Sequence, residues 1–291
     1  HWCHDLYPDL LPYVGLKLPA PLMQSLKKST RRSMKKCDKV VTIGRCMAKQ
    51  LTHSGVEPSR VAVIPNWPDY EILDPSKAGS DYKPFQLTNP DVARPSDQQV
   101  RDDSPKFRIL YAGNLGRMHP IQSLLDAAYF MQDRPEMEFC FVGDGPNYDR
   151  LAQERSKRGI ENIRLLPYQP AKRLRYVMES GDIHIVSLKE DAGGLLVPCK
   201  FYAALAVGRP VIFIGPEDCE ISQVIKDFGA GTVVPPRDAA RLIETITEYR
   251  MNSDLWFAHQ AGAIEAGKVF TPDQSITAWI KRAQEALVMP L

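Results

Sequence analysis

The chain has 291 residues, of which 44% are hydrophobic and 25% charged, so it is an ordinary globular protein long enough for two hydrophobic cores. This composition excludes the disordered and fibrous classes. The sequence lacks a run of about 18 apolar residues and starts without a signal-peptide pattern, so we expect a soluble, cytoplasmic protein. Its six cysteines form no CxxC pair, which predicts reduced thiols and no metal site.

Positive charge is concentrated in the first 60 residues. They carry 11 Lys and Arg against 4 Asp and Glu, a charge of +7. The remainder carries 26 against 31, a charge of −5, which leaves the whole chain at +2. This asymmetry predicts that the N-terminal part faces an anionic partner.

Residues 21–37 have the pattern of a basic helix. Leu22, Met23 and Leu26 give it some apolar surface, and the pattern predicts contact with an anionic membrane surface, at the inner face of the membrane. A solvated helix face explains the residues equally well. Nucleic acid is disfavoured because no aromatic residues interrupt the basic run. The six cations lie in two rows at i,i+4 spacing: Lys27, Arg31, Lys35 and Lys28, Arg32, Lys36.

The first module is predicted to end near residue 68. It shows only two strand patterns, at 39–43 and 60–64, with a helix pattern at 46–53 between them. One such βαβ unit needs further parallel strands to bury both faces of its sheet. We therefore expect residues 1–68 to be the C-terminal remnant of a larger domain, and the alternative is a small complete domain. A proline-rich linker or long loop is expected at 69–106.

From residue 107 onward, strand and helix patterns alternate. They predict an α/β fold with a doubly wound parallel sheet over 107–268, followed by a C-terminal helix over 269–291. Ligands of such sheets bind at the carboxyl ends of the strands. The strand patterns lie at 107–112, 137–142, 162–166, 182–188, 211–214 and 232–234. The packing residues expected in the last two helices are Trp256, Phe257, Trp279 and Leu287.

The loop after the first of these strands, here called the first glycine loop, runs from Gly113 to His119. Pro120 is expected to be the first residue of the next helix, because its missing N–H would be unpaired there anyway. The free N–H groups of a helix start, the two glycines and the forked donors of Arg117 are suited to holding a diphosphate. An ordinary strand-to-helix turn explains the same residues equally well.

Two further loops follow strands of the same sheet. The second glycine loop, Gly143 to Pro146, contains Asp144, and a later loop leads to an Ala-rich helix that begins near Lys200. Arg117 and Lys200 could share the charges of one diphosphate, which favours a nucleotide-sugar or dinucleotide ligand. An NAD dehydrogenase is disfavoured because GNLGRMH has the wrong glycine spacing.

Five motifs together resemble glycosyltransferase family 4, in which the GT-B fold places two Rossmann-like domains around a cleft. HDLYPD at 4–9 is similar to the end of the family's N-terminal acceptor domain, so the resemblance implies that the first part of that domain is not included. The five motifs are VIPNWPD (63–69), ILYAGNLGRMH (109–119), FVGDGP (141–146), NIRLLPYQP (162–170) and VPCKFYAALAVGRPVIFIG (197–215).

The resemblance also implies roles for individual residues. Arg117 and a partner cation would bind the donor diphosphate, the loops after Val142 and Leu166 would enclose the nucleobase, and His4 would lie near the transferred sugar. The donor-binding residues implied in this way are Gly113, Asn114, Gly116, His119, Gly143, Asp144, Gly145, Tyr168, Glu190 and Glu220.

Two positions depart from the family's pattern. The lysine expected shortly after Arg117 is Gln122, and the glutamate expected before the Gly-Arg-Pro segment is Ala203. A subset of the family with Pro-Ser-Lys before that helix is the most similar, with cysteine in place of serine here. The second cation is therefore assigned to Lys200 and ribose binding to Glu220. Glu190 is the one acidic candidate for the first position of the family's glutamate pair.

The function implied is transfer of a hexosyl group, with retention, from a nucleotide sugar to a saccharide or lipid-linked acceptor in polysaccharide or glycoconjugate synthesis. A UDP-sugar donor is favoured, and no cofactor is expected. Cations and helix dipoles would stabilise the departing diphosphate. One alternative is a sugar-nucleotide epimerase of the same architecture, which needs carboxylates around the sugar. The other is a non-catalytic binding protein that retains the fold, which Gln122 and Ala203 support.

Overall fold

The computed structural model describes residues 1–73 and 106–288. The linker expected at 69–106 therefore lies almost entirely outside the described residues. All six cysteines fall within the described ranges and are free thiols.

The N-terminal module is built on a parallel sheet of three short strands among the described residues, in the order β1-β2-β3. The expectation of only two strands is wrong, because β1 is two residues long and too short to show a period of its own. The strands are β1 (Trp2–Cys3), β2 (Val40–Thr42) and β3 (Val61–Val63), and the helices are α1 (Ala20–Met34), α2 (Arg45–His53) and α3 (Tyr70–Leu73).

The C-terminal module contains six parallel strands among the described residues, in the order β6-β5-β4-β7-β8-β9. This confirms the predicted doubly wound sheet. The strands are β4 (Phe107–Ala112), β5 (Met137–Val142), β6 (Ile163–Leu166), β7 (Ile183–Ser187), β8 (Val211–Ile214) and β9 (Gly231–Val234). The helices are α4 (Gln122–Phe130), α5 (Pro146–Arg158), α6 (Leu174–Glu179), α7 (Lys200–Ala206), α8 (Glu220–Phe228), α9 (Ala239–Met251), α10 (Ser253–Val269) and α11 (Pro272–Val288).

The direction of strand addition reverses between β4 and β7. Strands β4, β5 and β6 run outward to one side of the sheet, whereas β7, β8 and β9 run outward to the other. Such a reversal separates the loops that follow the two central strands and leaves a crevice at their carboxyl ends. The strand order therefore places the first glycine loop and the loop before α7 on either side of one crevice.

The central strands are buried on both faces because helices cover the sheet on each side. Every residue of β5, β7 and β8 is buried, which explains why these strands are mostly apolar and show no regular alternation of apolar and polar residues. Trp256 of α10 is fully buried, and its indole N–H donates to the carbonyl of Asp182 at 2.9 Å. Its predicted packing role is confirmed.

The last helix, α11, returns to the N-terminal module. Trp279 packs against Val41 and Ile64 of that module, and the hydroxyl of Ser275 donates to the carbonyl of Pro65 at 3.0 Å. The packing role predicted for Leu287 is wrong, since this side chain is 84% exposed. The chain thus crosses between the modules a second time at its C-terminal end.

The two modules are in direct contact. The N–H of Leu6 donates to the carbonyl of Leu195 at 2.8 Å, and Asp5 forms an antiparallel bridge with Leu196. One cluster of buried apolar side chains includes Met47 from the N-terminal module and Phe201 from the C-terminal module. The segment that leads into α7 is therefore held by both modules.

Candidate functional site

The first glycine loop leaves β4 at Gly113, where φ is 120°. The N–H of Gly113 donates to the carbonyl of Val142 at 2.8 Å, which connects the loop to the end of β5. The prediction that Pro120 starts the next helix is wrong, because α4 begins at Gln122. The N–H of His119 instead closes a turn onto the carbonyl of Gly116 at 3.0 Å, and this turn displaces the helix start by two residues.

The two glycine loops touch each other along their backbones. A Cβ at Gly143 would overlap the carbonyl oxygen of Gly113, so only glycine fits where the loops cross. The N–H of Leu115 donates to the carbonyl of Asp144 at 2.7 Å. The predicted proximity of these loops is confirmed, and their contact makes one continuous backbone surface at the carboxyl ends of β4 and β5.

Asn147, in the first turn of α5, stabilises the contact between the two glycine loops. Its side-chain amide donates to the carbonyls of Gly116 and His119, both at 2.8 Å. Sequence reasoning missed this residue. The available signal was a side-chain amide placed directly after a glycine loop, where it can reach the backbone of the neighbouring loop.

Lys200, the first residue of α7, reaches the first glycine loop from the other side of the crevice. Its Nζ lies 3.1 Å from the carbonyl oxygen of Asn114 and donates to the hydroxyl of Tyr111. The same nitrogen lies 4.0 Å from the centre of the Tyr111 ring. Burial lowers the pKa of Lys200 to about 7, because the charged ammonium is partly removed from water. Sequence reasoning missed Tyr111, whose signal was a hydroxyl near the end of an otherwise apolar strand.

His119 is held as a neutral ring. Burial and the nearby Lys200 lower its pKa to about 3. Its Nδ1 lies 2.5 Å from the carbonyl oxygen of Ser187, and a carbonyl only accepts, so Nδ1 carries the proton. Nε2 is then a hydrogen-bond acceptor, which suits a ligand hydroxyl and not a phosphate oxygen.

Arg117 does not join Lys200 in this structure. Its exposed guanidinium donates from Nη1 to the carbonyl of Val14 at 2.7 Å, in the N-terminal module. A Cβ at Gly15 would overlap the same nitrogen, so the segment around Gly15 leaves room for the arginine. Arg117 therefore spans the boundary between the modules, on the edge of the crevice that holds Lys200.

Glu220, expected to bind ribose, has protein partners instead. The buried carboxylate accepts from the backbone N–H of Arg45 at 2.5 Å and from its Nε at 3.1 Å. Arg45 also donates from Nη1 to Asp227 at 2.6 Å. The carboxylate thus faces the N-terminal end of α2, where a helix favours negative charge. This group of three side chains joins α2 of one module to α8 of the other.

Three other predicted residues, His4, Tyr168 and Glu190, are exposed. His4 is exposed, with its ring 4.1 Å from that of Trp2, and it directly precedes the bridge to Leu196. Tyr168 is exposed as well, and partial burial together with the charge of Asp144 raises its pKa. The charge of Asp144, in the second glycine loop, thus acts on the hydroxyl of Tyr168, which follows β6. Glu190 is exposed in the short turn before α7.

Solved structures of the same architecture define the class of fold. A glycosyltransferase from Rickettsia africae ESF-5 aligns with a TM-score of 0.71 at 17% identity, over 99% of this chain and 70% of that one. HepE from Anabaena, in complex with UDP and glucose, aligns with a TM-score of 0.73 at 14% identity, over 98% and 71%. The chain therefore has the GT-B fold, with two Rossmann-like modules.

The family follows from the sequence comparison. The family model described as glycosyl transferases group 1 matches residues 106–252, half of the chain, and the chain belongs to this family. WcaI of Escherichia coli strain K12, named for glycosyl transfer in colanic acid biosynthesis, is 29% identical over 220 residues. WbjE of Pseudomonas aeruginosa, named as a glycosyltransferase, is 25% identical over 263 residues.

The chain spans only part of these relatives. The matches cover 75% of this chain and 51% of WcaI, and 86% of this chain and 60% of WbjE. The matched family segment contains both glycine loops, Tyr168 and Lys200.

Proposed function

We propose that the chain belongs to an enzyme that transfers a sugar from a nucleotide-sugar donor to a saccharide or lipid-linked acceptor in polysaccharide synthesis. The observation that carries this proposal is the position of Lys200. Its ammonium lies against the first glycine loop, in the crevice where open parallel sheets bind nucleotides. The names of WcaI and of the mannosyltransferase from Escherichia coli that shares 26% identity support the polysaccharide context.

The chemistry follows from charge. As the bond from sugar to diphosphate breaks, negative charge accumulates on the leaving phosphate, and groups already aimed at that position lower the barrier. Lys200 would supply the full positive charge, and Arg117 a second one once its guanidinium releases the carbonyl of Val14. His119 would accept a hydrogen bond from a hydroxyl of the donor sugar. We propose a hexosyl donor and retention at the transferred carbon.

The two modules would have separate roles in binding. Residues 107–268 would bind the donor, residues 1–68 would contribute to the acceptor side, and residues 269–291 would join the two. Asp144 and Tyr168 would flank the nucleobase, and uridine is favoured because HepE and other structures of this fold hold UDP. His4 would lie on the acceptor side of the crevice.

Calorimetric titration of the chain with UDP, GDP and uridine tests the donor site. We expect one of the two diphosphates to bind at least roughly tenfold more tightly than the free nucleoside, since charge-assisted hydrogen bonds to phosphate contribute about 1.5–3 kcal/mol each. Equal affinities for UDP, GDP and uridine would contradict a diphosphate site. Transfer assays with saccharide acceptors would then separate a transferase from a protein that only binds the nucleotide.

We further propose that α1 contacts an anionic membrane surface. Lys28 and Arg32 are exposed on this helix beside the exposed Leu22 and Leu26, whereas Lys27 pairs with Asp9 at 2.7 Å. Lys35 and Lys36 lie beyond the last helical residue. No helix in the described part of the chain is both long and apolar enough to cross a bilayer. Contact through α1 would therefore act at the surface.

Replacement of Lys28 and Arg32 by serine should weaken binding to phosphatidylglycerol vesicles by roughly 30-fold at low salt, at about 1 kcal/mol per cation. The reason is loss of attraction between the helix and the anionic surface, so the difference should shrink as salt rises. Co-sedimentation measures it. The matched control replaces the exposed Lys157 and Lys226 of the C-terminal module, which removes the same charge elsewhere. Equal losses in both double variants would show a net-charge effect and not a surface on α1.

A further inference from the structure

Tyr111 occupies an unusual place for a hydroxyl group. Tyr111 is the second-last residue of β4 and is 1% exposed. The centre of its ring lies 5.9 Å from that of Phe141. Its hydroxyl donates to the carbonyl oxygen of Asn114 at 3.0 Å and accepts from Nζ of Lys200. Since Nζ also donates to the carbonyl of Asn114, the hydroxyl, the ammonium and the carbonyl form a closed triangle.

This triangle determines where the lysine points. A lysine carries its charge on a flexible four-carbon chain, and an unrestrained ammonium loses much freedom when it binds a ligand. Here the hydroxyl of Tyr111 and the carbonyl of Asn114 together fix the direction of the ammonium. The ammonium is thus held beside Gly113, whose missing side chain leaves the space next to the lysine open.

Resting on the proposed donor site, we propose that Tyr111 is a positioning residue that holds Lys200 for the donor diphosphate. Tyr111 itself does not touch the donor. It acts through Lys200 from inside the sheet.

The surroundings of the nitrogen give diphosphate binding a pH dependence that can be measured. Tyr111 from β4 bonds to it, and its charge interacts with His119 of the first glycine loop and with Cys199, the residue before α7. His119 is neutral above pH 5, because its pKa is lowered to about 3. Burial lowers the pKa of Lys200 to about 7, so near neutral pH the free site is only partly protonated. A diphosphate raises that pKa again by supplying a negative charge.

The test uses the full chain, UDP and uridine as probes, and calorimetry between pH 6 and pH 9. The variant is Tyr111→Phe, which keeps the ring and removes only the hydroxyl. The matched control is Tyr202→Phe on α7, another tyrosine of 1% exposure, whose hydroxyl has no hydrogen-bond partner among the described residues. The terminal phosphate of UDP itself titrates near pH 6. Lys200→Met, which lacks the lysine, therefore serves as the reference that separates protons bound by UDP from protons bound by Lys200.

We expect Tyr111→Phe to bind UDP roughly tenfold more weakly at pH 7, the factor for one lost hydrogen bond to a charged group. The pH at which affinity declines should fall by about one unit, because the hydroxyl stabilises the protonated lysine. Titrations in buffers of different ionisation enthalpy should show that the parent takes up more protons than Lys200→Met. Tyr202→Phe should behave as the parent, and uridine should bind all four proteins equally.

Each contrary outcome has a distinct meaning. If the parent binds neither UDP nor GDP, the proposed donor site fails and this inference fails with it. If the parent binds UDP but Tyr111→Phe has the same affinity and pH profile, only the role of Tyr111 is overturned. If Tyr111→Phe loses uridine as well, or Tyr202→Phe shows the same loss, the hydroxyl has a general structural role and the inference is wrong.

Discussion

Lys200→Met should weaken the binding of UDP by roughly ten- to a hundredfold. The change removes the ammonium beside the first glycine loop and keeps a side chain of similar length and volume. A charge-assisted hydrogen bond to phosphate is worth about 1.5–3 kcal/mol, which corresponds to this range. Calorimetric titration measures the loss, with uridine as the ligand whose affinity should not change.

The same variant should be more stable than the parent. The pKa of Lys200 falls from 10.5 in an unfolded chain to about 7 in the folded one, so the folded state binds this proton less tightly. That difference destabilises the folded protein at pH values below 10.5, and the penalty is complete below pH 7. The gain in free energy of unfolding should therefore be larger at pH 6 than at pH 9.

Lys226→Met is the matched control, since Lys226 is exposed on α8. It should change neither UDP affinity nor the pH dependence of unfolding. Urea denaturation at both pH values provides the second measurement. A less stable Lys200→Met with unchanged UDP affinity would assign the lysine to the structure of the loop and remove it from the donor site.

Gly143→Ala should destabilise the protein by roughly 2–6 kcal/mol. Two costs add at this position. The φ of 147° is strained for a residue with a side chain, at about 1–3 kcal/mol, and the new Cβ overlaps the carbonyl oxygen of Gly113 in a well-packed region, at about 1–3 kcal/mol. The two glycine loops have to separate to relieve the overlap, so UDP affinity should fall as well.

Gly159→Ala separates these two causes. Gly159 ends α5 with a φ of 63°, and a Cβ there would meet nothing within 4 Å. Gly159→Ala should therefore lower the free energy of unfolding only by the cost of the left-handed conformation, about 1–2 kcal/mol. It should leave UDP affinity unchanged. The shift of the urea midpoint, followed by circular dichroism, compares the two variants. Equal shifts would mean that contact between the loops contributes nothing at Gly143.

The sequence predicted most of the C-terminal module because its signals are local. Six apolar strand patterns separated by helices are enough to indicate a parallel sheet, and the carboxyl ends of parallel strands necessarily meet at one edge. That rule alone brought Gly113, Gly143 and Lys200 to one crevice. The short β1, the start of α4 and the exposure of Leu287 were predicted wrongly, because short elements and helix ends give weak periodic signals.

Contacts between distant segments could be decided only by the tertiary structure. Arg117 donates to Val14, 103 positions away, and Arg45 pairs with Glu220, 175 positions away. These partners depend on how the modules pack, and hydrophobic periodicity carries no information about which charged groups meet across a boundary. The contact between Tyr111 and Lys200 could not be predicted for the same reason, since the two residues lie 89 positions apart. The sequence by itself thus determined the sheet and the edge where the carboxyl ends of its strands meet, whereas packing between separate segments determined the partners of each charged group.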